Sequence, residues 1–358
     1  MNTYFIRIVM KTIFPLLTFG ILSLTADEIT VSSLRDSLSS PITETRRAAA
    51  LKLGELKNLA DPAFQELAKA CKDTDPVVAT RAIQALGQNR SNREEVVKIW
   101  QEGLESPHDS VRIASAESLG RLRPTDIQGF LDPLVAALDD GNRLVVVATA
   151  DSIARLDFRK FPEGKERVAK ASKTLLESAD PMLQGVGAGM LAWQQTDVEA
   201  ALPVLTNLLT SPSRDIRRNA FTSIQRYGTL AITMAPVLLA CLESAHEHDR
   251  SNAGRALLSV DPENAVASMA EVLKKSNVQL AREGAVRALQ SSNTDAARDA
   301  IAYALRDRAA NVRFFACNAI LRSGRAGEAA AENLREILRN DRSSMVKEVA
   351  REALEVLK

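Results

Sequence analysis

The sequence predicts an all-α solenoid of about ten helix pairs, and three observations carry that prediction. The stretch Asp109–Leu122, DSVRIASAESLGRL, places apolar or small residues at Val111, Ser115, Ser118, Leu119 and Leu122. Counted from Val111 as place 0, these fall at 0, +4, +7, +8 and +11, one stripe of a 3.6-residue helix. The pattern then recurs. Its +8 place holds Leu53, Leu86, Leu119, Ile153, Leu191, Ile224, Leu257, Leu289, Ile320 and Leu354, at spacings of 31 to 38 residues. Periods of that size belong to solenoids and arrays. Finally, the +4 place is small in all ten copies: Ala49, Ala82, Ser115, Thr149, Gly187, Ala220, Ala253, Ala285, Ala316 and Ala350. A small residue at one fixed phase is what a helix needs where another crosses it closely.

The elements follow in order. Val31–Leu38 reads as a short first helix, and Pro41 opens the turn into the first copy of the pattern. Asp-Pro pairs at Asp61, Asp75, Asp180 and Asp261 are placed to start helices. An aspartate caps orphan backbone N–H groups, and proline at the first helical place loses no bond. Leu-Gly pairs (Leu53-Gly54, Leu86-Gly87, Leu119-Gly120) stand where glycine accommodates a turn. The 0 place is apolar in eight copies, with Thr45 and Asp249 as departures. Trp100 belongs to an outer-helix stripe. The last helix, Met345–Leu357, offers the polar outer face that a terminal repeat requires.

Two stretches are irregular. The 38-residue interval between Ile153 and Leu191 carries its extra length in Asp157–Arg167, DFRKFPEGKER, which is expected as a surface insertion. QGVGAGM places Gly185, Gly187 and Gly189 in an inner helix. With no strand before it and no lysine-serine pair after it, this is not a phosphate cradle; three glycines there let helices approach.

Asp75-Pro76-Val77-Val78, Asp180-Pro181-Met182-Leu183 and the run from Val111-Arg112 to Leu119-Gly120 resemble the second-helix pattern of HEAT repeats. The resemblance covers roughly residues 30–358. It implies antiparallel helix pairs stacked into a right-handed superhelix, usually with a protein-binding inner surface. It also implies that the arginine at +1 (Arg46, Arg112, Arg217, Arg250, Arg282, Arg313, with Lys347 in the last copy) joins turn aspartates in a ladder between neighbouring repeats. That column is read as structural.

The first 26 residues stand outside the repeat. Arg7 and Lys11 precede the apolar run Ile13–Leu24, and Ser23-Leu24-Thr25-Ala26 meets Asp27-Glu28. This is the layout of a secretory signal peptide cleaved after Ala26, which divides the chain into a signal at 1–26 and a solenoid at 27–358. The apolar run is short for a membrane-spanning helix; an uncleaved anchor is the alternative, and Met10 would also make a start. The protein is thus expected to be exported, periplasmic or secreted, with no membrane attachment after cleavage. Removing the signal leaves 44 basic against 45 acidic groups, which argues against non-specific nucleic-acid binding. Cys71, Cys241 and Cys317 sit in different repeats and form no disulfide framework.

Candidate chemistry is sparse. His246-Glu247-His248-Asp249 offers His246, His248 and Asp249 as weak metal candidates, against the plainer reading of a solvated turn. His108 has no glycine-framed serine near it for a triad. Family analogy alone raises enzymes: lyases that attach bilins, DNA glycosylases and iron hydroxylases built on similar repeats. The expected function is therefore a noncatalytic scaffold without cofactor that binds protein partners along the concave face. There the +2 and +6 places point away from the packing stripe. They hold Arg218, Arg255 and Arg287 in repeats six to eight, with Glu283 as the single opposing charge, and Glu117 and Asp151 in repeats three and four. This predicts a groove positive toward one end and negative toward the other.

Overall fold

A computed structural model describes residues 31–56, 62–87, 92–121, 128–156, 158, 161–324 and 328–357. The signal segment 1–26 lies outside them, as do Asp61 and Leu122. Among the described residues there are twenty α-helices and no strand. Residue contacts divide the chain into two units, Met1–Leu119 and Gly120–Lys358.

The first unit holds α1 (Val31–Ser37), α2 (Thr43–Leu56), α3 (Phe64–Ala70), α4 (Pro76–Leu86), α5 (Arg93–Gly103) and most of α6 (Asp109–Gly120). The second runs from α7 (Gln128–Ala136) and α8 (Arg143–Ile153) through α9 (Pro162–Leu176), α10 (Pro181–Gln194), α11 (Val198–Leu208), α12 (Arg214–Tyr227) and α13 (Ala235–Cys241). It continues with α14 (Glu247–Val260), α15 (Ala265–Lys275), α16 (Gln279–Leu289), α17 (Asp295–Ala304), α18 (Ala310–Ser323), α19 (Glu328–Asn340) and α20 (Ser344–Val356). Even-numbered helices carry the repeated stripe and are called inner; odd-numbered ones are their outer partners. Within the second unit, each inner helix from α10 to α18 packs on the next inner helix and on an outer one.

The ten small +4 residues are all buried. Nine of the ten +8 leucines and isoleucines are buried as well, Leu354 in the terminal helix being half-exposed. Within the second unit the buried residues from Leu176 to Ala353 form one core rich in Leu, Ile and Ala, the arrangement in which repeats that cannot bury a face alone bury it against a neighbour.

One column organises the turns and was not recognised in the sequence. Five residues before each 0 place stands a serine or aspartate: Ser40, Asp73, Ser106, Asp140, Ser178, Ser211, Ser244, Ser276, Asp307 and Asp341. In all ten, the side-chain oxygen accepts the backbone N–H two residues on, at 2.8–3.3 Å. This is the local turn that short oxygen-bearing side chains build.

Several local expectations need correction. Asp75 and Asp180 do cap α4 and α10, but Asp261 closes α14, and Asn264 stands at the start of α15. Gly54 lies inside α2, and Gly87 follows α4 at φ −60°. The left-handed glycine ends are instead Gly228 and Gly324, at φ 55° and 61°. The insertion is not a bare surface loop. Phe158 and Phe161 are buried, and Phe158 meets Trp193 edge-on with centroids 5.9 Å apart. Aromatic area of that size is placed inside because burying it is favourable, and most of the insert's charges open the outer helix α9. Trp100 is buried and donates from Nε1 to the Ile83 carbonyl at 3.1 Å.

In the first unit the Arg46 hydrogen bond holds the Asp73 carboxyl below its ordinary value, and Arg47 holds that of Asp75 at about 2. A carboxyl depressed on folding contributes stability above its unfolded value, and that contribution is lost as pH falls through the folded one. Acid melting of the protein should therefore steepen between about pH 4 and pH 2. Asp75→Asn keeps an N-cap but loses the titration, so circular-dichroism melts of this variant should show a flatter acid limb than wild type.

Candidate functional site

The +1 column binds first to its own turn. Arg46, Arg112, Arg217, Arg250, Arg282 and Arg313 each donate from Nη1 to the carbonyl of the turn serine or aspartate six residues back, at 2.7–3.0 Å. Gln184 makes the same bond from Nε2 to the Ser178 carbonyl at 2.9 Å. Its place in the register is its signal in the sequence, although it carries no charge.

The outer edge of five of these guanidiniums then reaches an acid of the next repeat, in two manners. Arg46, Arg282 and Arg313 pair through two nitrogens with the next turn's aspartate, Asp73, Asp307 or Asp341, at 2.6–3.0 Å. Such forked pairs combine charge with fixed geometry. Where the next turn carries a serine, the acid sits on the next inner helix instead. Arg217 reaches Asp249 at 2.7 Å, and Arg250 reaches Glu283 at 3.7 Å, both pairs buried. Arg112 pairs within its own helix with Asp109, at 2.7 Å.

This accounts for the departure at Asp249 from an apolar stripe, and it corrects two expectations. Asp249 is turned inward onto Arg217 and, at 3.4 Å, the Ser244 hydroxyl, so it cannot join His246 and His248 as a ligand. Among the described residues no three His, Cys, Asp or Glu side chains converge as a metal set. Glu283 is not an opposing charge on an open face: it is buried, accepts from Gln279 at 2.8 Å and faces Arg250. The cysteines are inward too, Cys71 and Cys317 buried and Cys241 half-buried. Burial pushes the thiols of Cys71 and Cys317 up to about 12 and that of Cys241 to about 11, which keeps them protonated and unreactive.

The five residues expected on the concave face meet different surroundings. Glu117 is half-buried in the first unit. Arg218 is exposed and pairs with Asp215 at 3.0 Å. Arg255 is exposed and donates to Asn252 at 2.6 Å. Arg287, expected to be exposed, is half-buried: it pairs with Glu247 at 2.6 Å and lies 4.6 Å over the Phe315 ring. That guanidinium is occupied by the fold, because a cation over an aromatic face beside a carboxylate is satisfied twice. Asp151 is exposed and lines a groove.

The groove, about 440 Å³, crosses α8, α10 and α12 on their inner face. Val147 and Asp151 occupy the +2 and +6 places of α8; Gly185 and Gly189 occupy those of α10; Thr222 is the +6 residue of α12. Met182, Val186, Met190 and Ile216 supply apolar surface, and Asp215, Asn219 and Arg226 supply polar groups. The three glycines thus divide. A Cβ at Gly187 would lie 2.5 Å from the Ser172 carbonyl oxygen and 2.8 Å from the Leu175 Cβ, so α9 and α10 meet there. At Gly185 and Gly189 the nearest atoms would be 3.8 and 3.5 Å away. Those two leave the floor of the groove without side chains.

Comparison with solved structures gives the same architecture at low identity. Kap121p bound to Pho4p aligns with a TM-score of 0.65 and 14% identity, covering 93% of this chain and 42% of that one. Importin beta aligns at 0.61 and 14%, covering 92% and 53%. Yeast importin-beta (Kap95p) aligns at 0.55 and 15%, covering 92% and 52%. The chain spans about half the length of these proteins. No curated protein shows significant sequence similarity to it. The family model for HEAT repeats matches residues 64–154, 168–259 and 266–355, more than half of the sequence, and the chain belongs to the HEAT-repeat family.

Proposed function

We propose that the protein is an exported, noncatalytic scaffold, and that the groove across α8, α10 and α12 receives an apolar segment of a protein partner. The carrying observation is the pair Gly185 and Gly189, which occupy outward-facing places of an inner helix and leave a channel at a cost in helix stability. Methionines beside such a channel adapt to irregular apolar partners. A solenoid scaffold suits the family, and solved relatives of this fold include Kap121p bound to Pho4p. Near-balanced charge favours a protein over a nucleic acid as partner. The basic start, apolar run and small-residue junction at Ala26 support export, and N-terminal sequencing of the mature product should begin at Asp27.

The groove is tested by filling it. A Cβ at Gly185 or Gly189 makes only ordinary contacts, at 3.8 and 3.5 Å, so Gly185→Leu/Gly189→Leu directs its added bulk into the groove, and loss of two helical glycines should raise stability by about 0.5–1 kcal/mol per site. Affinity capture from the protein's own envelope fraction, read by mass spectrometry, should lose with this variant the partners that wild type and Arg255→Ala retain. Identical capture by all three would remove the groove as the binding site.

A further inference from the structure

A second site lies away from the groove, between α9 and the turn that follows α10. The pocket there measures about 580 Å³ and is lined by Lys165, Glu166, Lys170 and Lys173 of α9, by Gln194 at the end of α10 and by Asp197 of the turn. Three independent features mark it.

The Gln194 side chain is 5% exposed, and neither its Nε2 nor its Oε1 has a hydrogen-bond partner among the described residues. A buried carboxamide with both ends unmet is expensive, and an apolar residue of similar length would fill the space without that cost. Next, Gln195 and Asp197 take φ of 55° and 51°, the two left-handed non-glycine residues among those described. Glycine would relax either position. Strain of this kind persists where the surroundings enforce it, and it gathers at ligand sites. Charge is the third feature. Asp197 is already paired with Lys173, and Arg167 at the rim with Asp132. Lys165 and Lys170 are exposed and have no ion pair among the described residues. Glu166 also lines the pocket, so its three lysines and Arg167 outnumber its two carboxylates four to two; the lining stays net positive and includes the unmet carboxamide of Gln194.

We propose that this pocket binds an acidic, extended peptide segment, with carboxylates on Lys165 and Lys170 and one residue's backbone on Gln194. A primary carboxamide presents N–H and C=O side by side, which matches the C=O and N–H that a residue in an extended strand turns to one side. Gln194 lines the pocket while both its amide atoms are shut off from solvent, so binding requires the side chain to rotate about its terminal torsions, which satisfies both atoms at once. Lysine ammoniums act as point charges and set no geometry; they attract the acidic segment, and Gln194 reads its backbone.

The test uses the purified protein and a fluorescein-labelled, amidated Gly-Glu-Gly-Glu-Gly-Glu peptide, followed by anisotropy at low and moderate salt. Lys165→Glu/Lys170→Glu should weaken binding at least about tenfold at low salt, less as salt rises. Gln194→Met should weaken it about five- to tenfold with an unchanged salt dependence, while its melting temperature stays level or rises. Gly185→Leu/Gly189→Leu should leave peptide affinity unchanged, so failure of the groove reading and failure of this one are separable. Peptide affinity unaffected by Gln194→Met overturns the proposal, whether or not that variant melts earlier. Tighter binding of a twelve-residue oligodeoxythymidine, lost in the same variants, overturns the assignment to a peptide.

Discussion

Asp249→Ala is expected to destabilise the second unit by about 3–5 kcal/mol. The Asp249 and Arg217 side chains are only 6% and 7% exposed, with Nε and Oδ2 2.7 Å apart. Arg217 cannot swing into solvent when its partner goes, because Nη1 remains bound to the Ser211 and Pro212 carbonyls at 2.8 and 3.0 Å. The deletion therefore strands a positive charge in the interior. Replacing both members, as Arg217→Met/Asp249→Leu, removes the charge as well as the pair and should recover most of the loss, since well-packed apolar pairs often match buried ion pairs. Arg218→Ala, one residue along, breaks an exposed pair and should cost less than about 1 kcal/mol. Urea denaturation at constant slope gives all three values. An Asp249→Ala cost no larger than that of Arg218→Ala would mean that the rung is open to water.

Overpacking the small column should be the next most damaging change. Ala220→Leu and Ala285→Leu add three carbons where the native residue is fully buried, and should cost about 1–3 kcal/mol or more. Gly187→Ala belongs with them despite adding one methyl. Its Cβ would press on the Ser172 carbonyl oxygen and the Leu175 Cβ, so α9 and α10 must separate to admit it. Ala350→Leu, in the terminal helix with one inner neighbour, should cost less, as stability in such arrays is shared between adjacent units. The same denaturation series decides this. Equal and negligible effects at Ala220, Ala285 and Ala350 would contradict a close crossing at that phase.

The fold was readable because its signal is repeated. One copy of a 0, +4, +8 stripe is weak, but ten copies with a small residue at the same phase leave little else for Ala49 or Ala350 to be doing. The site was less readable, for physical reasons that differ by residue. Gly185, Gly187 and Gly189 look alike in sequence; only the approach of α9 separates the one that packs from the two that open a channel. Arg287 reads as a free cation until Glu247 and Phe315, 40 residues behind and 28 ahead, are brought beside it. Gln194 carries no sequence signal at all, since its oddity is the lack of partners at a buried position. The turn column was different: serine and aspartate recur at one phase, and a search for short oxygen-bearing side chains would have found it.

The two manners in which the arginine rungs find their acids bear on how such a chain can be lengthened, shortened or spliced. A repeat ending in Arg46, Arg282 or Arg313 expects an aspartate in the following turn; one ending in Arg217 or Arg250 meets a serine there and expects its acid on the following helix. Joints of the first kind are interchangeable with one another. Moving the segment that bears Ser244 and Asp249 behind Arg46 keeps a charge balance, whereas placing an Asp73-type turn behind Arg217, with an apolar 0 residue, swaps one anchoring geometry for the other. Excision of the segment between Arg217 and Arg250 fuses two joints of the same kind and preserves the pairing rule. Duplication or loss of units is thereby steered toward boundaries whose donors and acceptors already agree.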